Sequence, residues 1–197
     1  MHDFTRTTLV SPPEIEPIDL YDVRAHLRVT HNEEDELLNA LITAARVTVE
    51  TITRRSLITQ QWRLSLDAFP AGRVIKLPHT PVREVTAVEY YDQEGNLQAL
   101  DPDKYWLDDL SAPARLMLKE GETFPDVEQG RPNAVEITYF AGYGDDPADV
   151  PAPVRHAIKL VVAHLYENPD IVSAGQLFTI PMSCDYLLSP YRVITFF

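Results

Sequence analysis

The chain has 197 residues, 45% of them hydrophobic and 24% charged, and a net charge of −13. This is the composition of a globular protein with a sizeable core rather than of a disordered chain, and the single cysteine, Cys184, excludes an internal disulfide and a thiolate zinc cluster. The acidic balance argues against sequence-specific DNA binding, which sets Lys and Arg against phosphates, and fits either plain solubility or a channel wall that DNA slides past without sticking.

Residues 1–13 lack the apolar core of a signal peptide. The longest apolar candidate, Ile158 to Leu165, is broken by Lys159 and His164 and falls short of the ~20 residues that span a bilayer. No membrane partner is expected, and one cysteine suits a reducing compartment such as a bacterial cytoplasm.

The first region, residues 1–56, reads as helical. Asp19 is placed to cap a short helix carrying Leu20, Val23 and Leu27 at helical spacing. Asn32 is placed to cap a second helix, whose first turn, Glu33 to Glu36, puts negative charge at the positive end of the helix dipole. Leu38, Leu41, Ile42, Ala45, Val49 and Ile52 then form one apolar stripe, ending at Arg54 and Arg55.

Residues 57–146 change from helical period to alternation. Trp62, Leu64 and Leu66 alternate with Arg63 and Ser65, and Val74 to Leu77, Val82 to Tyr90, Tyr105 to Leu107, Leu116 to Leu118 and Val135 to Tyr139 read as further strands. Glu94-Gly95-Asn96 supplies a turn, and prolines such as Pro78, Pro81, Pro113 and Pro132 keep the strands short. A small antiparallel sandwich or barrel follows.

Residues 147–197 return to helical period. Pro151 and Pro153 fit a first turn, where a missing N–H is harmless, and Val154 to Tyr166 is apolar on most sides, as a central core helix would be. Asp170 to Ser183 lacks periodicity. A short helix through Tyr186, Leu187 and Leu188 precedes the apolar tail Tyr191 to Phe197, which either folds back or docks on another subunit. The whole is an α+β chain: a helical core from both ends carrying an inserted antiparallel β region.

Chemistry is sparse. There is no P-loop, G-x-G-x-x-G, H-E-x-x-H or G-x-S-x-G motif. Ala141-Gly142-Tyr143-Gly144 runs into Asp145-Asp146, the wrong charge for a phosphate cradle. His156, His164 and Glu167 share helical spacing but sit in an apolar segment without further ligands. Cys184 has no basic neighbour to activate it, and the pairs Asp108-Asp109 and Asp145-Asp146 are adjacent in loops, which does not make a two-carboxylate site. No catalytic residue, cofactor site or metal site is assigned.

Several segments together resemble the phage head–tail connector (adaptor) family, in its longer members with a β insertion, also found in gene transfer agents. They are Leu20 to Val29, the acidic start Asn32 to Leu38, Leu41 to Glu50, Thr53 to Trp62, Leu77-Pro78 with Pro81-Val82, Tyr139 to Gly144, Ala157 to Asn168 and Leu187 to Arg192. Relatives often carry glycine where Arg54 stands, and Asp170 to Asp185 departs from the pattern.

The resemblance implies a non-enzymatic virion part working as one copy in a ring of about twelve subunits, a closed heterologous assembly. The ring would sit at the neck, stacked between the portal protein and the next neck or tail component (stopper or tail terminator), with DNA passing non-specifically through its centre. A monomer in isolation is compatible with this, because some adaptors assemble only on the portal. By the same resemblance Tyr186, Leu187, Leu188, Tyr191 and Arg192 are the portal contacts, and removing residues after Ser183 is expected to abolish portal binding while leaving the fold. Two other readings stay open: another neck or tail structural protein (completion or terminator), or a ligand-binding β module with helical flanks using Trp62, Trp106, Tyr90, Tyr91 and Tyr105. An aromatic groove would favour the module, and buried rings would dismiss it.

Overall fold

The computed structural model describes residues 6–168 and 182–194. The fold is α+β, with helices α1 (Leu20–Leu27), α2 (Asp35–Thr53), α3 (Ala152–Glu167) and α4 (Met182–Leu188) and strands β1 (Arg6–Ser11), β2 (Gln60–Leu66), β3 (Val74–Leu77), β4 (Val82–Tyr91), β5 (Leu97–Ala99), β6 (Tyr105–Asp108), β7 (Ala114–Leu118) and β8 (Val135–Ala141). Two compact units result. Of the described residues, the helical unit takes those within Ile15–Ile58 and Tyr143–Val193, and the β unit takes those up to Glu14, Thr59–Gly142 and Ile194.

In the helical unit, Asp19 caps α1 as its sequence position predicts, its carboxylate accepting from the Asp22 amide at 2.6 Å. The start of α2 differs from expectation. The helix begins at Asp35 rather than directly after Asn32, and Glu34 makes no side-chain cap. Tertiary partners take these carboxylates instead: Asp35 pairs with Arg24, and Glu34 accepts from the Tyr166 hydroxyl at 2.6 Å. At its far end α2 closes on Arg54 in the left-handed region (φ 56°). That conformation favours glycine.

Helix α3 is the centre of this unit, with Val154, Ala157, Ile158, Val161 and Val162 fully buried among Val23, Leu38, Ile42, Val49, Cys184 and Leu188. Each valine, leucine or isoleucine among them contributes about 1.5–3 kcal/mol by leaving water. On α2, Arg46 is buried as well and is satisfied by Glu16 (2.8 Å) and Glu50 (2.9 Å).

The β unit has a five-stranded antiparallel sheet, β1-β2-β8-β4-β5, and a three-stranded one, β3-β7-β6. Their inward residues, among them Leu64, Leu77, Val88, Leu116, Ile137 and Tyr139, form one core. Alternation is cleanest on β3 and β7, where Ile75, Leu77, Ala114, Leu116 and Leu118 are buried. Tyr139 is buried with its hydroxyl satisfied, donating to the Pro78 carbonyl at 2.9 Å, and burial raises its pKa. Gly95, at φ 79°, makes the turn between β4 and β5.

Residues 1–56 read from the sequence as the N-terminal helical part; ahead of its helices, residues 6–11 pair as β1 with β2, in register Arg6 to Ser65 through Leu9 to Trp62. Beta-1 is an edge strand, mostly exposed on both faces, so it carries no apolar alternation to read.

Candidate docking surface at the C-terminal segment

Residues 182–194 form the candidate site. Alpha-4 sorts its side chains by helical phase. Cys184 and Leu188, four apart, are both fully buried. The Cys184 sulfur lies 3.7 Å from the Ala157 carbonyl, and burial pushes its thiol pKa up, the opposite of an activated nucleophile. Met182 and Tyr186, also four apart, are 89% and 83% exposed.

Past α4 the chain returns to the exit of α2. Arg55 Nε donates to the Tyr191 carbonyl at 2.6 Å, and the Val193 amide donates to the Thr53 carbonyl at 3.0 Å. Up to Val193 the tail therefore packs on its own unit. Ile194 is 69% exposed, while Thr195, Phe196 and Phe197 lie outside the described residues, as does most of the aperiodic stretch from Asp170.

The residues predicted as contacts thus divide. Tyr186 stands out from the surface. Leu187 and Tyr191 are half-buried against the core, and Leu188 is inside it. Arg192 is exposed and pairs with Asp185 at 2.5 Å. Sequence reading missed Met182 as a second exposed side chain beside Tyr186, although the i, i+4 spacing places the two on one face of α4. Because α4 supplies Cys184 and Leu188 to the core, removing everything after Ser183 takes away packing along with any contact, which corrects the expectation that this truncation spares the fold.

Other candidate groups have structural employment. Asp108 accepts from Ser111 (2.7 Å) and Arg115 (2.5 Å), and Asp146 with Asp149 forms a capping box at a short 3-10 turn. His26 and His156 meet edge to face at 6.1 Å, where burial, then His156 and Lys159, hold the His26 pKa down. Among the described residues no group of three potential metal ligands comes together, and no helix is long and apolar enough to cross a membrane.

The aromatic rings of the β unit are spread over both sheets. Trp62 stacks on His79 at 3.6 Å, Tyr90 meets Phe69 edge to face, Tyr91 lies under Arg131 at 3.4 Å, and Tyr105 packs on the core. Trp106 is 60% exposed beneath the Lys119 ammonium at 4.2 Å. Each ring has its own intramolecular contact.

Residues 17–99 match a family described as phage gp6-like head-tail connector protein. Among solved structures, a chain in the neck of an empty gene transfer agent (GTA) particle, computed with C6 symmetry, is similar with TM-score 0.80 and 26% identity, over 98% of this chain and 97% of that one. A chain in the neck of a native GTA particle, computed with C12 symmetry, is similar with TM-score 0.76 and 24% identity, over 98% and 97%. A chain in the virion of a native GTA particle gives TM-score 0.79 and 24% identity, over 97% of each. Curated proteins give no sequence match.

Proposed function

We propose that this chain is a structural head–tail connector of a phage or gene transfer agent particle and that it works at the neck as a ring of twelve copies, the symmetry of one similar neck. The single observation that carries the connector reading is the end-to-end likeness to a chain in a GTA neck, covering 98% of this chain. The role is mechanical: to join, to seal and to leave a passage, without catalysis.

In this proposal the ring takes the portal protein on one side and the next neck or tail component on the other, and DNA passes non-specifically through the centre. A net charge of −13 suits such a passage, because like charge keeps phosphates from sticking. Before assembly the chain is a bacterial cytoplasmic protein, and it joins the ring on the portal.

The portal contacts are proposed on the C-terminal segment, and its geometry divides the labour. Tyr186 and Arg192 reach outward. Leu187 and Tyr191 hold the surface in shape from below, and Leu188 anchors it from the core. An exposed Tyr and Arg are the residue types that carry most energy in protein interfaces.

The test is capture of the full chain on purified portal protein. The variants Tyr186→Ala and Arg192→Ala should each weaken binding tenfold or more while the thermal midpoint stays near that of the wild type. Undiminished binding by the double variant would overturn the assignment of these contacts.

A further inference from the structure

We infer that the outward face of α2 is the surface on which a second copy of this chain packs; the inference rests on the ring reading above. Leu37, Ala40, Ala44, Val47 and Thr51 recur at spacings of three and four residues. At 3.6 residues per turn they fall within about 80° around the helix, opposite the core stripe of Leu38, Ile42 and Val49. Leu37 and Val47 are each 49% exposed, and the face runs about 21 Å along the axis.

The face carries no charge, and the structure shows how. Beyond Glu36, the charged residues of α2 are Arg46 and Glu50. Both are turned inward and bonded, Arg46 to Glu16 at 2.8 Å and to Glu50 at 2.9 Å, with side-chain exposures of 8% and 13% for Arg46 and Glu50. The threonine hydroxyls bordering the face are also spent within the chain. Thr48 and Thr51 donate at 2.8 Å to the Ala44 and Val47 carbonyls, and Thr43 donates to Glu16 at 2.8 Å. Covering this face would strand no charge and none of these hydroxyl donors, which is the condition for cheap desolvation.

Charge selects the occupant. Two chains of net charge −13 repel wherever acidic surfaces meet, so copies can approach closely only where the surface is neutral. DNA is repelled by the whole chain and finds no cation on this face. The chains of similar fold sit in necks of six- and twelve-fold symmetry, where each copy has a copy on either side. A single helix stripe of this length is smaller than the ~800 Å² per partner of an ordinary interface, so it serves as the apolar centre within a polar rim.

The test places a photoreactive p-benzoylphenylalanine at position 47 of the full chain and irradiates assembled particles. Adducts at multiples of this chain's mass, containing only its peptides, are expected. An adduct with another protein or with DNA, or none although the chain is at the neck, would overturn the inference and leave the connector reading standing. Absence of the wild-type chain from the particles would overturn both. Should the bulky residue keep the chain out of particles, Val47→Cys decides by its maleimide reactivity. A thiol protected more than tenfold in particles relative to the free chain upholds the inference, and one equally reactive in both overturns it; Cys184 is buried and gives no competing signal.

Discussion

The guanidinium of Arg55 donates from Nε to the main-chain carbonyl of Tyr191 at 2.6 Å, fastening the end of the chain to the residues that follow α2. Arg55→Ala removes a charge-assisted hydrogen bond worth about 1.5–3 kcal/mol where partly buried. The expected result is a stability loss of about 1–2 kcal/mol with faster amide exchange at Arg192 and Val193. Unchanged exchange there would show that the Val193 to Thr53 bond holds the segment alone.

Leu188 and Tyr186 lie two residues apart on α4 and should behave oppositely. Leu188→Ala empties a fully buried site and is expected to cost about 2–5 kcal/mol, read from denaturant midpoints. Tyr186→Ala, at an 83% exposed position, should shift stability by less than about 0.5 kcal/mol and express itself only when a partner is present.

Much of this fold was legible in the sequence, and the parts that were not have physical causes. The alternation of Leu64 and Leu66, the stripe Leu38 to Ile52 and the cap Asp19 are local signals, and the elements they predict form. Beta-1 was invisible because it is exposed on both faces and finds its partner β2 some sixty residues on (Arg6 with Ser65). The start of α2 slid to Asp35 because Arg24 and Tyr166, distant in sequence, claim its acidic residues. At the candidate site the letters gave Tyr186 and Leu188 equal standing, and only helical phase against α3 separates the exposed residue from the buried one.

Gly144 is required for steric reasons. A Cβ built there would stand 1.9 Å from a carboxylate oxygen of Asp149, the same oxygen that accepts from the Asp146 amide at 3.1 Å. Gly144→Ala is expected to break the capping box and cost about 1–3 kcal/mol. Adding Asp149→Ala should then cost less than the sum of the two single changes, a coupling that a double-mutant cycle measures.

His79, stacked on Trp62, has its pKa lowered by burial to about 4 from 6.5. Above pH 6.5 the ring is neutral in folded and unfolded chains and contributes no pH dependence. As pH falls from 6.5 towards 4 the unfolded chain takes up a proton that the folded chain refuses, so stability drops, by about 3 kcal/mol at most. His79→Asn tolerates the left-handed backbone at this position (φ 58°) and does not titrate. Its unfolding free energy should vary less between pH 4 and 6.5 than that of the wild type, and equal slopes would remove His79 as the cause.

The account stands most directly on where the chain sits in a particle. Cryo-electron microscopy of purified particles from the source strain should show a ring of this subunit at the neck, directly below the portal, with Tyr186 and Arg192 on the portal side. A complete neck built wholly of other chains would contradict the connector account at its root.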